Sequence, residues 1–179
     1  KIEASAQAPV FVHGPTPDAL WLANDKARLT ELALELGLEE VIAETRIERE
    51  IGPLASALKT LAARHERVAL KRTRCASAMG NEVFDSALLR GKSETELELI
   101  VQNFLARTQW EGDEDVLVVE WIDATSSPSS QLWVPSARDA SASVRVDGLY
   151  EQLLVGEQGI FLGSMPSTLS SEIGEQMAQ

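Results

Sequence analysis

Apolar positions recur along this chain at two periods, and the switches between them mark its elements. Residues 8–13 (APVFVH) form a β-branched run closed by Gly14-Pro15, which predicts a strand ending in a turn. Thr16-Pro17-Asp18 then opens a short helical turn over Ala19 to Leu22, and Asn24-Asp25 gives a second start signal. From Lys26, the residues Leu29, Leu32, Ala33 and Leu36 recur at spacings of three and four. They end at Gly37, as in an amphipathic helix with a glycine C-cap.

An extended piece is expected over Glu40–Glu44, followed by a second amphipathic helix over Ile51–Arg64 with Leu54, Leu58 and Leu61 on one face. Pro53 fits its first turn, where a missing N–H costs nothing. Arg67–Lys71 is predicted as a strand, Arg72–Asn81 as a polar loop of small residues, and Glu82–Asp85 as extended again. Ser93 and Glu96 make a capping box for a third helix whose apolar face is Leu97, Ile100, Val101, Phe104 and Leu105.

The clearest strand is Val116–Ile122 (VLVVEWI), apolar at nearly every position and therefore expected to be covered on both faces. After a Ser/Pro/Thr loop at Ala124–Ser130, short strands are expected at Gln131–Val134, Ser143–Val146, Tyr150–Leu154 and Ile160–Leu162. A turn at Gly156–Gly159 separates the last two of these, and Ser167 or Ser170 caps a final helix. Helices and strands alternate before residue 124 and antiparallel-looking strands follow it, which predicts an α+β fold of two lobes.

Composition narrows the function classes. With 179 residues, 44% hydrophobic and 25% charged, the chain has the make-up of a soluble globular protein of one or two domains. A net charge of −12 argues against non-specific nucleic-acid binding and against docking on an anionic membrane. Any anionic ligand must then be met by a local basic cluster. Cys75 is the one cysteine, so no intrachain disulfide can form, and the separation of His13 from His65 speaks against a Cys/His zinc site. No apolar run approaches a membrane span, and the first residues lack the apolar core of a signal peptide. The chain starts at Lys1 and not at Met, and is expected to be a fragment or processed piece.

Two stretches carry candidate chemistry. In Leu70–Asn81 (LKRTRCASAMGN) a strand delivers Lys71 into a loop of small residues, and Arg72 and Arg74 add two cations nearby. An ammonium beside converging loop amides makes a phosphate cradle; a solvated basic loop is the alternative. The stretch does not have the order of a Walker A loop. In Val116–Asp123 a buried strand breaks into a Ser/Pro loop, leaving backbone groups able to read an adenine edge and Asp123 able to reach ribose hydroxyls. An ordinary core strand with a polar exit is the alternative there.

The order of four segments resembles the ATP-grasp superfamily of ATP-dependent ligases. They are LANDKARLTELALELGL (Leu22–Leu38), VALKRTRCASAMGNEVF (Val68–Phe84), VLVVEWID (Val116–Asp123), and LYEQLL with FLGSMPSTLS (Leu149–Ser170). The resemblance implies a nucleotide cleft between two lobes, with residues 1–65 as an N-terminal remnant and helical linker region, 66–123 as the small lobe and 124–179 as part of the second lobe. It implies that Lys26 and Lys71 meet phosphates, Lys71 the α- and β-phosphates, and that Ser77, Ala78, Met79 and Gly80 form the loop that closes over them. It also implies that the backbone of Glu120 and Ile122 holds adenine, that Asp123 lies near the ribose, and that Glu151 and Gln152 line the cleft from the second lobe.

The implied reaction joins a carboxylate to an amine through an acylphosphate, with ATP and Mg²⁺ and in the cytoplasm. Positioning and charge neutralisation carry such phosphoryl transfer. This loop is poorer in glycine than many relatives, and the family's metal-holding strands would lie beyond Gln179, so neither catalytic residues nor metal ligands are assigned. A degenerate module that binds nucleotide or a protein partner without chemistry is the alternative. A kinase or dikinase of the same fold is a third reading. Cys75 in the loop has no histidine close in sequence and is read as a tolerated small residue.

Overall fold

The computed structural model describes residues 14–75, 78–135, 141, 143–156, 159–169, 172 and 175. The expected strand at 8–13, Ser77 of the loop and most of the expected final helix lie outside the described residues. The elements, in chain order, are α1 (Pro17–Asn24), α2 (Lys26–Glu35), a 3-10 turn (Glu39–Val41), β1 (Thr45–Glu48), α3 (Ile51–Ala62), β2 (Arg67–Arg72), β3 (Asn81–Asp85), α4 (Ser86–Leu89), α5 (Glu94–Arg107), β4 (Val116–Glu120), β5 (Pro128–Trp133), β6 (Arg145–Val155) and β7 (Ile160–Pro166).

Local chemistry accounts for the helix ends. Thr16 caps α1 through its hydroxyl and Pro17 fills its first turn, which extends the expected single turn to eight residues. The Asp25 carboxylate accepts from the Ala27 and Arg28 amides and starts α2, while Gly37 takes φ +70° past its end. Ser93 and Glu96 form the expected capping box of α5.

Four antiparallel strands in the order β1-β4-β2-β3 make the first sheet. Strand alternation sorts its side chains. Val68, Leu70, Val116 and Val118 point to α3 and α5, where they meet Leu54, Leu58, Leu61, Leu97, Val101 and Phe104 in the main core. Burying each large apolar side chain there is worth about 1.5–3 kcal/mol. Ala69, Leu117 and Val119 point the other way, into a smaller cluster with Ala27, Ile47, Val83 and Trp121. The expectation that β4 is covered on both faces holds, since its first four residues are all buried.

Sheet pairing overrides local pattern in three places. The piece expected to be extended at Glu40–Glu44 begins as a 3-10 turn, and the strand forms just after it, where Thr45–Glu48 pair with Val116–Val119. The loop expected to run to Ser130 ends sooner, because Pro128–Ser130 pair with Leu149–Glu151. The strands expected at Ser143–Val146 and Tyr150–Leu154 are one strand, β6, running through Gly148. A Cβ at Gly148 would stand 2.8 Å from the Tyr150 ring, so this glycine makes room for an aromatic neighbour instead of turning the chain.

Strands β5-β6-β7 form the second, antiparallel sheet, with register shifts at Gln131/Leu132 and Leu153/Leu154. None of its described residues is buried, and Trp133, Leu153, Phe161 and Leu162 are exposed. Helix α2 is likewise amphipathic in sequence but buries only Ala27, leaving Leu29 and Leu32 open.

Candidate functional site

The end of β2, the end of β4 and the hairpin β6–β7 enclose a cleft of about 610 Å³ between the two sheets. Lys71, Asn81, Trp121, Gln152, Leu154 and Phe161 line it, together with Glu120, Ile122 and Asp123. The first sheet contributes the face opposite its main core. Lys71 and Trp121 share that face with Ala69 and Val119; Lys71 stands opposite Leu117 while Trp121 lies beyond Val119 at the other end of the row, so the indole reaches back along the sheet to the lysine.

Lys71 Nζ lies 5.0 Å from the centre of the Trp121 ring. Among the described residues no carboxylate pairs with it. Burial pushes its ammonium below the ordinary lysine value, and the Lys26 charge nearby adds to the lowering. The two arginines next to it in the sequence do have anions. Arg72, one residue on and therefore on the core face, is paired with the buried Glu114 and donates to the Thr108 carbonyl at 2.6 Å. Glu114 also accepts from the Thr73 hydroxyl at 3.0 Å and the Arg74 amide at 3.2 Å. Arg74 binds Asp25 at 2.9 Å and covers the Trp21 ring. The three-cation cluster expected from sequence is therefore a single unpaired ammonium, because alternation along β2 turns Arg72 away and Asp25 takes Arg74.

Lys26 stands at the start of α2 and reaches under the loop. Its ammonium donates to the carbonyls of Cys75 at 2.7 Å, Thr73 at 3.2 Å and Arg72 at 3.5 Å. Those contacts occupy all three of its protons. At the far end of the loop Ala78 has φ +60°, Met79 is exposed, and the Gly80 carbonyl accepts from the Arg72 amide at 2.8 Å. A Cβ at Gly80 would fall 2.4 Å from Cys75 Cβ and 2.7 Å from Arg72 Cβ, so the loop closes on itself only with glycine there.

At the other end of the cleft β4 leaves the sheet. The Glu120 amide donates to the Glu44 carbonyl and the Trp121 amide to the Arg67 carbonyl, whereas the Ile122 amide meets no partner among the described residues. Asp123 is paired with Arg67 at 2.6 Å. From the second sheet the Gln152 side chain lines the cleft, while its amide donates to the Ser127 carbonyl. Glu151 accepts from the Ser127 amide, tying β6 to the chain as it leaves the first sheet. The cleft thus brings together Lys71, Glu120, Ile122, Asp123 and Gln152; Lys26, Met79 and Gly80 belong to the loop beside it. Sequence reading did not assign Trp121, Asn81, Arg67 or Phe161. The alternation of β4 past Val119 was the available signal for Trp121.

The donor set suits a nucleotide better than a metal held by this chain alone. An unpaired ammonium, an aromatic wall and a free amide at a strand end match a phosphate and a base. Among the described residues no three His, Cys, Asp or Glu side chains gather to hold an ion, and the cleft's Asp123 is already ion-paired with Arg67. No described helix is long and apolar enough to cross a membrane.

Two antiparallel sheets flanking such a cleft give this chain the ATP-grasp fold, which it shares with solved ATP-grasp enzymes. The biotin carboxylase domain of the Hydrogenobacter thermophilus 2-oxoglutarate carboxylase, solved with MgADP, ADP and bicarbonate, superposes with a TM-score of 0.68 at 19% identity, over 92% of this chain and 34% of its own. D-alanyl-alanine synthetase A of Vibrio cholerae gives 0.60 at 11% identity, over 89% of this chain and 46% of its own. D-alanine-D-alanine ligase of Helicobacter pylori gives 0.55 at 16%, over 92% and 42%. The chain therefore spans less than half the length of these structures. No family model matches it, and no curated protein matches it in sequence.

Proposed function

We propose that this chain is the ATP-binding portion of an ATP-grasp ligase that joins a carboxylate to an amine through an acylphosphate. Residues 66–123 serve as the small lobe and 124–179 as part of the second, after an N-terminal linker region over 1–65. The single observation that carries the reading is Lys71: a partly buried ammonium without an anion, at the mouth of a cleft, in a chain of net charge −12. Desolvating a cation without a partner is costly, and a phosphate repays that cost. Ligases among the similar structures support the reaction class.

ATP supplies the phosphoryl group that activates the carboxylate. This chain's part is to place it. Lys71 neutralises phosphate charge, the loop at Ala78–Gly80 covers it, the backbone of Glu120 and Ile122 meets the base, Asp123 lies toward the ribose, and Gln152 closes the cleft from the second lobe. Lys26 holds the loop's carbonyls, so its charge acts on the phosphates from behind the loop. That same engagement favours the alternative, a module that binds nucleotide without chemistry. Its three-proton clamp resists the movement of a closing loop.

Adding millimolar ADP with magnesium should raise the melting temperature, because a ligand selective for the native state stabilises it by about 2.7 kcal/mol at a hundredfold excess over Kd. An unchanged melting temperature sinks the nucleotide reading. Phosphate release from ATP in the presence of amino acids or other carboxylates separates ligase from silent module.

A further inference from the structure

Across the first sheet, the row that carries Lys71 runs from Leu117 of β4 through Lys71 of β2 to Asn81 of β3. Asn81 therefore stands directly opposite the lysine, on the face that lines the cleft. The Arg72 amide donates to the Gly80 carbonyl at 2.8 Å, and the Asn81 amide turns to the Ala78 carbonyl at 3.0 Å. Arg72 and Gly80 are thus the hydrogen-bonded pair of the ladder. Lys71 and Asn81 are the closer, non-hydrogen-bonded kind, in which opposing Cβ atoms lie about 4.5–5.5 Å apart.

The company Asn81 keeps is apolar. Ala69, Val83, Leu117 and Val119 share its face of the sheet, and asparagine is a residue that strands disfavour. Its backbone is engaged, the amide with Ala78 and the carbonyl with the Arg107 guanidinium at 3.3 Å. Among the described residues its carboxamide has no hydrogen-bond partner, although the residue is half-buried. Withdrawing a polar group from water without a partner is costly, and a ligand in the cleft supplies the partner.

The residue type narrows what that ligand group is. A carboxylate at this position would pair with Lys71 and close the site to anions, while another cation would repel the ammonium directly opposite. A carboxamide carries two N–H donors and no charge. It can add hydrogen bonds to an anion without altering the charge that Lys71 presents.

We propose that Asn81 is a second phosphate-binding residue of the cleft, its carboxamide donating to the same phosphate whose charge Lys71 neutralises. This rests on the nucleotide reading above and extends the site to β3. The two are separable, because removing the carboxamide leaves Lys71 and the end of β4 in place.

Calorimetric titration of ADP, with magnesium, and of adenosine tests this in the wild type, Asn81→Ala and Asn81→Asp. A residue that only supports the fold would lower both affinities, whereas a phosphate contact lowers that of ADP alone. Asn81→Ala should bind ADP about fivefold or more weakly, or roughly 1 kcal/mol, with adenosine unchanged. Asn81→Val, which lacks the donor and suits a strand, serves if Asn81→Ala does not fold. Asn81→Asp should lose at least about tenfold for ADP, since its carboxylate pairs with Lys71 and repels phosphate. Glu82→Gln, one residue on and on the opposite face, where Glu82 meets Arg107, should leave ADP binding unchanged. Wild-type ADP affinity in Asn81→Ala or Asn81→Asp, or an equal loss of adenosine, overturns the role of Asn81 and leaves Lys71 and the cleft standing. Absence of ADP binding by the wild type overturns the nucleotide reading itself, and the role of Asn81 with it.

Discussion

The Lys71 ammonium rests 5.0 Å from the centre of the Trp121 ring, with β2 supplying the cation and β4 the aromatic face. Their strands pair antiparallel with Ala69 opposite Val119, so both side chains project from the same face of the sheet. The ring offers partial compensation to a charge that has lost water and gained no carboxylate.

Lys71→Ala should weaken ADP binding by at least about tenfold, or roughly 1.4 kcal/mol. Lys59→Ala, which alters an exposed lysine on the far side of α3, should leave it unchanged. Calorimetric titration of both variants checks this, and equal effects would remove Lys71 from the phosphate site.

Trp121→Leu should cost binding through the same ammonium, by about 0.5–2 kcal/mol, while Trp121→Phe keeps a weaker aromatic face and loses less. Because the Trp121 ring also reaches toward Gly159 of the second lobe, its fluorescence should change when nucleotide fills the cleft. Titration of ADP into the Trp121→Phe variant should lose most of that signal.

Lys71 should also be the more reactive amine at mildly alkaline pH. Its lowered value leaves more of the neutral, nucleophilic form than an ordinary lysine side chain has, and a phosphate in the cleft would restore its proton. Limited acylation followed by peptide mapping should mark Lys71 early, and saturating ADP should suppress the label. Early labelling that ADP does not change would count against the site.

Gly80→Ala should destabilise the fold by about 1–3 kcal/mol, since the new methyl meets the Cβ atoms of Cys75 and Arg72 rather than flexible side-chain ends. Gly163→Ala in β7, where nothing lies within 4 Å, is the control. Urea unfolding midpoints compare them.

Glu114→Ala should be the most damaging of these changes, about 3–5 kcal/mol, because it leaves Arg72 with a buried charge and orphans the Thr73 hydroxyl. On the acid side, Glu44 and Glu96 have folded values below their ordinary ones. Their contributions are complete above the ordinary carboxylate value and are lost as pH falls through the lowered one. Urea midpoints measured as pH drops through the carboxylate range should therefore decline less steeply in Ser93→Ala, which removes the capping-box partner of Glu96.

Much of this protein is legible in one dimension. The leucines of α3, the Ser93–Glu96 box of α5, the apolar β4 and the Lys71 strand are consequences of period, capping and propensity, which act over a few residues. The order of those segments was enough to place the chain among ATP-grasp folds. What tertiary structure decided is which of several nearby charges is left unpaired. Arg72 and Arg74 stand in the same loop sequence as Lys71, yet Glu114 and Asp25, each about 40 or more residues away, neutralise them. Strand β1 and the full lengths of β5 and β6 likewise depended on partners elsewhere in the chain. Local pattern sets where a side chain can point, and pairing between distant segments sets whether anything meets it there.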